Sequence, residues 1–129
     1  MANRKTYAVL TCDIIGSRKI KSDKLLEVLH GCINDVNSKY SSYLHAPLTI
    51  MLGDMIQGVC KRPGFAFDIF QWLEEILWLE GTSIIKFPVN IRCGIGIGKI
   101  IDPMLPIGEM TGKAFIFANN ALEYIGKHS

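Results

Sequence analysis

The stretch LTIMLGDMIQGVC, residues 48–60, decides the fold, because two apolar runs flank the tight turn Gly53-Asp54. A glycine followed by a polar residue in a two-residue loop is typical of a type II′ β-hairpin turn. A hairpin joins antiparallel strands, whereas parallel strands need a longer crossover connection. The stretch therefore disfavours a doubly wound parallel sheet and favours an antiparallel one.

The segments around this hairpin alternate between strand and helix patterns. Upstream, residues 7–12 are a β-type apolar run, and residues 22–40 carry apolar side chains at helical spacing. Downstream, the spacing predicts a helix over 65–80, a strand over 89–97 and a last helix over 112–126. The order β-α-β-β-α-β plus a C-terminal helix predicts an α+β fold, a ferredoxin-like antiparallel sheet with helices packed on one face.

Composition narrows the class of protein. A chain of 129 residues, 49% hydrophobic and 20% charged, predicts a single globular domain over 1–129. A net charge of +2 gives no strong signal for nucleic acid, and no apolar stretch approaches the ~20 residues that span a bilayer. The four cysteines lie in apolar runs without a C-x-x-C pair, which predicts buried, reduced thiols and a cytoplasmic protein; they are Cys12, Cys32, Cys60 and Cys93.

Two aspartates stand at the tips of apolar runs. Asp13 ends the first predicted strand, and Asp54 lies in the hairpin turn. A carboxylate in such a place is costly unless a positive charge meets it. Mg²⁺ prefers oxygen ligands and commonly takes one or two carboxylates, so the pair predicts a cation site, with the Ile14 carbonyl as a third ligand. The alternatives are that Asp54 only shapes the turn and that Asp13 only caps its loop.

The loop after Asp13 is a candidate phosphate-binding segment. Its backbone N–H groups lead toward a helix, and such loops bind anions through those groups; the residues are Ile15, Gly16, Ser17 and Arg18. Lys19, Lys21 and Lys24 follow directly. These basic residues either form a solvated helix entrance or attract an anionic ligand toward the loop.

Glycines leave one face of the last predicted strand bare. Gly94, Gly96 and Gly98 alternate with apolar residues, so all three point to the same side. Strand glycines often mark the close approach of a ligand or another chain, and the alternative is that a helix or loop fills the gap. Arg92 faces that side too, either in a structural salt bridge or in contact with phosphate or Asp54.

Four pieces of the chain resemble the SatD-like family of bacterial proteins: DIIGSRKI, GDMIQG, RCGIGIGKI and TGKAFIFANNAL. In order and spacing the same pieces are similar, more distantly, to the class III nucleotidyl cyclase catalytic domain. This resemblance implies a ferredoxin-like core, a homodimer and two aspartates that bind two metal ions on a nucleoside triphosphate. Those acids match Asp13 and Asp54, with the Ile14 carbonyl as an additional ligand.

The chain departs from the cyclase pattern at other positions. The cyclase lysine four residues before the second aspartate is Ile50 here, and the asparagine and arginine of the final helix fall at Ile116 and Asn120. Glu109 lies where a base-reading acid would be. Losing one charged donor to a transition state typically costs ~10²–10³ in rate. The resemblance therefore implies a domain that binds a nucleotide or polyphosphate with Mg²⁺ or Mn²⁺, without cyclase activity.

Two further functions fit the same residues. The missing lysine and arginine also suit a non-catalytic regulatory module whose bare glycine face is a dimer surface. A phosphotransfer enzyme of unknown substrate would use the same two aspartates for altered chemistry.

Overall fold

The computed structural model describes residues 5–16, 22–51 and 55–128. Four strands form one antiparallel sheet within these residues, in the order β2-β3-β1-β4. They are β1 (Tyr7–Ile14), β2 (Leu44–Ile50), β3 (Ile56–Cys60) and β4 (Ile91–Gly98). The helices are α1 (Ser22–Lys39), α2 (Ala66–Glu80) and α3 (Lys113–His128). The predicted α+β fold is confirmed, including the order of its elements.

The two crossover helices, α1 and α2, pack together on one face of the sheet, as predicted. Alternate residues of β1 supply that side of the core, because successive strand side chains point to opposite faces. They are buried with the apolar stripes of both helices; the β1 members are Ala8, Leu10, Cys12 and Ile14. β1 thus contributes four residues to the core between the sheet and helices α1 and α2.

The C-terminal helix α3 covers the opposite face, so helices lie on both sides of the sheet. A Cβ added to Gly94 would lie 2.1 Å from the Ala118 carbonyl oxygen, and one on Gly96 would lie 2.1 Å from that of Ala114. The glycines therefore let the backbone of α3 rest directly on β4. Of the two interpretations of the glycine face, the filling helix is correct, and the dimer surface expected there is covered.

β2 starts earlier than its sequence indicates. The polar composition of residues 38–47 predicts a connection, yet β2 begins at Leu44 and includes Pro47. Proline lacks the N–H that a central strand needs, but it is tolerated on outer strands and at bulges. β2 is one of the two outer strands of the described sheet, and its register with β3 shifts between Leu44 and Ala46 and again between Ala46 and Thr49. The proline therefore marks an irregular edge rather than a loop.

The chain does not leave its helical path at Gly81, where the sequence predicts the end of α2. A π-helical turn continues over Gly81–Ile85, and Lys86 ends it with a φ of 67°. Gly81 is required for another reason: an added Cβ would lie 2.6 Å from Cγ2 of Val89. The glycine allows the segment before β4 to pack closely against the end of α2.

The cysteines largely follow the prediction of buried, reduced thiols. All four cysteines are free, three are buried, and Cys93 is partly exposed. None of the helices in the described ranges combines the length and the apolar character needed to cross a bilayer.

We expect Gly96→Ala to lower the free energy of unfolding by about 1–3 kcal/mol, the usual cost of forcing an extra group into a packed core. Gly31→Ala is the matched control. Gly31 is exposed in α1 with no atom within 4 Å of an added Cβ, so alanine there should stabilise by roughly 0.5–1 kcal/mol. Urea unfolding measures both changes. A neutral Gly96→Ala would contradict the close contact between α3 and β4.

Candidate functional site

Asp13 lies at the end of the central strand and is paired with Arg92 across the sheet. The two residues are opposite each other in the β1–β4 register, and Nε of Arg92 donates to Oδ1 of Asp13 at 3.1 Å. The Asp13 side chain is 33% exposed and the Arg92 side chain is 28% exposed. Alternation along β1 places Asp13 on the α3 face. Of the two interpretations of Arg92, the salt bridge is therefore the one present in the structure.

Arg92 also lies beside the last turn of α3. A Cβ added to Gly126 would stand 3.8 Å from Nη1 of Arg92. The C-terminus of a helix carries partial negative charge, which favours a cation nearby. Arg92 thus sits between the Asp13 carboxylate and the negative end of a helix dipole.

This pairing affects what Asp13 can bind. The hydrogen bond uses Oδ1, and a carboxylate has a second oxygen that can accept as well. A divalent cation at Asp13 would stand close to the guanidinium, and like charges at such distances repel. Arg92 and a cation therefore compete for the same carboxylate.

The Ile14 carbonyl is directed away from β4. Ile15 N–H donates to the Asn90 carbonyl at 2.9 Å, which makes Ile15 and Asn90 a hydrogen-bonded pair of the antiparallel ladder. Such pairs alternate with non-hydrogen-bonded ones, so the Ile14 amide groups point to the other side. That is the side of β3, whose pairing with β1 ends at Cys12 and Ile56. The carbonyl thus points to the side of β1 on which β3 begins.

The phosphate loop is described only in its first half. Because the Ile15 N–H is bonded to Asn90, an anion would receive it only if that bond opened. Gly16 has a φ of 68°, the left-handed conformation that glycine adopts without steric cost. Ser17, Arg18 and Lys19 lie outside the described residues, as does Asp54, and their predicted roles stay predictions.

Thr11 and Gln57 form a buried polar pair that sequence reasoning missed. Gln57 Nε2 donates to Oγ1 of Thr11 at 3.1 Å, and both side chains are buried. Thr11 precedes Asp13 by one alternation on the same sheet face, and Gln57 is its register partner on β3. The signal available was a polar residue inside each of two apolar runs. The α3 face is therefore polar at the end that holds Asp13 and Arg92.

Glu109 lies on the α3 side of the sheet, close to β3. It is exposed and belongs to a 3₁₀ turn, Ile107–Glu109, which contacts β3. Gly108 lies against the Met51 side chain, just after β2. Ile116 and Asn120 are both exposed on α3.

The described residues alone do not form a metal centre. No group of three or more His, Cys, Asp or Glu side chains within residues 5–16, 22–51 and 55–128 is placed to hold a metal ion. Asp13 would need another ligand from outside these ranges. One surface pocket lies beside α2, lined by Glu74, Glu75, Trp78, Leu79 and Asn90.

Two cysteines face each other on the α1/α2 side of the sheet, each adjacent in sequence to one member of the Asp13–Arg92 ion pair. Cys12 and Cys93 are opposite each other in the β1–β4 register. Hydrogen bonding with Cys93, followed by burial, raises the pKa of the Cys12 thiol well above its ordinary value. The Cys12 thiol is therefore protonated at neutral pH.

Comparisons with known proteins agree with this architecture. The SatD family model matches residues 7–129. No curated protein is similar enough to this chain to count as a match.

Among solved structures, the chain is similar to nucleotidyl cyclases. An adenylate/guanylate cyclase/hydrolase from Silicibacter pomeroyi has a TM-score of 0.68 at 20% identity, with 95% of this chain and 71% of that chain covered. Adenylate cyclases from Trypanosoma brucei, solved in their monomeric state, give 0.68 at 13% identity, covering 92% and 68%. A guanylate cyclase domain from Catenaria anguillulae, in complex with GTP, gives 0.62 at 16%, covering 91% and 70%. These likenesses establish a cyclase-like fold.

We expect Thr11→Val to destabilise the protein by about 1–3 kcal/mol, because it leaves the buried Gln57 amide without its partner. The double variant Thr11→Val/Gln57→Leu should recover most of that loss, since replacing both partners by apolar groups is often nearly neutral. A double-mutant cycle by urea unfolding measures the coupling. Strictly additive losses would show that the hydrogen bond is energetically unimportant.

Proposed function

The chain belongs to the SatD family, and from this premise and its cyclase-like fold we propose a divergent nucleotidyl-cyclase-like domain that binds a nucleotide or polyphosphate with Mg²⁺ or Mn²⁺. The observation that carries the proposal is the placement of Asp13. Asp13 is the next-to-last residue of β1 and is one-third exposed on a polar part of the sheet face. It precedes the Ile14 carbonyl, which is directed away from β4.

The cation would be held by Asp13, Asp54 and the Ile14 carbonyl. All three supply oxygen, the ligand that Mg²⁺ and Mn²⁺ prefer. The cation would supply charge neutralisation for phosphate oxygens. The β1–β3 register supports this grouping, because its last described pair, Cys12 and Ile56, lies within two residues of Asp13 and of Asp54 in the sequence.

The phosphates would be held by the loop that follows β1. Gly16 supplies the left-handed turn, and the amides from Gly16 to Arg18 supply donors, with Ile15 joining only if it releases Asn90. Lys19 adds positive charge by its place in the sequence.

Arg92 would change partner when the ligand binds. Without ligand its guanidinium neutralises Asp13. Once a divalent cation occupies Asp13, repulsion favours release of Arg92, and a phosphate oxygen is a good acceptor for the guanidinium. Arg92 would then contact ligand, the second of its predicted roles.

The proposed domain does not turn over as a cyclase. The positions that resemble the cyclase lysine, asparagine and arginine are Ile50, Ile116 and Asn120, none of which carries a charge. Glu109 remains as a candidate contact to a base, on the same face as Asp13 and near Met51. Binding without rapid chemistry suits a sensor or carrier of the ligand.

A homodimer is part of the proposal, with its surface moved from the glycines to α3. Ile116 and Phe117 are about half exposed there, at 54% and 48%. Half-exposed apolar side chains on one helix favour association with another protein surface. Sedimentation at micromolar concentration measures the mass; a strict monomer would remove the homodimer and leave ligand binding to be judged separately.

We expect Asp13→Asn to weaken the binding of Mn²⁺ with a nucleoside triphosphate by at least roughly tenfold, equivalent to about 1.4 kcal/mol, because a charged ligand is lost. Asp54→Asn should do the same. Asp102→Asn is the matched control: Asp102 is exposed, adopts a φ of 53° that asparagine tolerates, and precedes Pro103, which contacts His45 near the far end of the sheet.

Calorimetry with ATP, GTP and tripolyphosphate, each with Mn²⁺ or Mg²⁺, measures these affinities. Absence of binding by the unaltered protein, or equal binding by Asp13→Asn and Asp102→Asn, would overturn the proposal. Turnover of the same panel, abolished by Asp54→Asn, would instead support the phosphotransfer enzyme.

We expect Arg92→Gln to separate the two parts of the ligand. Removing a positive charge beside Asp13 should strengthen the binding of Mn²⁺ alone, whereas the polyphosphate should bind more weakly with the metal present. Electron paramagnetic resonance of free Mn²⁺ reports the first affinity and calorimetry the second. If both affinities fall together, Arg92 acts only by holding Asp13 in place.

A further inference from the structure

Cys12 and Cys93 face each other across β1 and β4, on the α1/α2 face of the sheet. They are direct register partners, and each neighbours one member of the Asp13–Arg92 pair along its strand. Alternation puts the thiols and the ion pair on opposite faces. The proposed ligand site therefore does not use these two sulfurs.

The backbone at this pair is suited to a disulfide. The bond from Ile15 N–H to Asn90 makes those residues a hydrogen-bonded pair, and counting back along the register makes Cys12 and Cys93 a non-hydrogen-bonded one. The Cα atoms of such a pair lie about 4.5 Å apart. Disulfides join residues whose Cα atoms are about 4.4–6.8 Å apart, so no strand needs to move far.

The side chains and their access also fit. The two thiols face each other closely enough for Cys93 to raise the pKa of the Cys12 thiol. Cys12 is fully buried, but Cys93 is partly exposed on β4, the outer strand opposite β2 in the described sheet. A small reagent therefore approaches the pair from the side of Cys93, and Cys12 is the cysteine directly opposite.

We propose that Cys12 and Cys93 are a site of reversible oxidation that forms a cross-strand disulfide with a low-molecular-weight disulfide such as oxidised glutathione. The Cys93 thiolate attacks one glutathione sulfur, and the other glutathione leaves as a thiol. The Cys12 sulfur, losing its proton, then attacks Cys93 and releases the second glutathione. The two cysteines are oxidised and one glutathione disulfide is reduced.

The remaining cysteines serve as internal controls. Burial is the main cause that raises the pKa of the Cys32 thiol to about 12, and burial also raises that of Cys60. Both are also buried, so an external disulfide does not reach them directly. Neither is a register partner of another cysteine.

The experiment incubates the folded, reduced protein with oxidised glutathione, blocks remaining thiols with iodoacetamide under denaturing conditions and measures intact and peptide masses. We expect the oxidised protein to lack two hydrogen atoms before blocking and to carry two carbamidomethyl groups, on Cys32 and Cys60, after it. It should carry no glutathione and yield one disulfide-linked peptide pair containing positions 12 and 93. A thiol reductant should restore the starting mass.

Two variants identify each step. Cys12→Ala should stop at a glutathione adduct on Cys93, because the resolving thiol is gone. Cys93→Ala should react at neither position, and the double variant Cys32→Ala/Cys60→Ala should still form the disulfide. Circular dichroism and urea unfolding verify that each variant is folded; if Cys12→Ala is not, Cys93→Ala and the double variant carry the comparison.

The proposal is overturned if positions 12 and 93 both remain open to iodoacetamide after oxidation, or if Cys93 ends as a glutathione adduct in the unaltered protein. A disulfide involving Cys32 or Cys60 would overturn it too. None of these results depends on nucleotide or metal binding.

Discussion

The pairing of β1 with β4 is the contact on which the rest of this structure depends. A single register places Asp13 opposite Arg92 and Cys12 opposite Cys93, so it fixes an ion pair on one face and a thiol pair on the other. The same pairing brings the glycines of β4 beside the centre of the sheet, where α3 can cover them. A slip by one residue would move every one of these side chains to the wrong face.

The sequence predicts the sheet and its helices well, because hydrophobic periodicity reports burial directly. It fails where tertiary contacts override local pattern. Pro47 indicates a loop, but an irregular outer strand accommodates it. Gly81 indicates a helix end, whereas its real constraint is contact with Val89. The side of the sheet that α3 covers depends on a long-range contact, and glycines alone fit a ligand, a second chain or a helix.

In the candidate site, too, some residues can be predicted from the sequence and others only from the tertiary structure. Asp13 can be found from sequence because an acid at the end of an apolar strand is unusual, and the family resemblance adds Asp54. The pairing of Asp13 with Arg92 cannot be predicted without the β1–β4 register, because the two residues are 79 positions apart in the sequence. Thr11 and Gln57 are seen only when both strands are aligned, as each looks like an isolated polar residue in an apolar run. The similarity to cyclase structures concerns only the fold on which these side chains lie.

The sheet also has a consequence for which metals this part of the molecule can choose. Carboxylates and carbonyls suit hard ions, whereas thiolates hold soft ones such as Zn²⁺ or Cu⁺. Here Asp13 and Cys12 are adjacent in sequence, yet the pleat directs them to opposite sides of the backbone. An ion cannot draw ligands from both faces at once. Because β1 separates the Cys12 sulfur from the Asp13 carboxylate, a thiophilic metal cannot bind to both side chains at once.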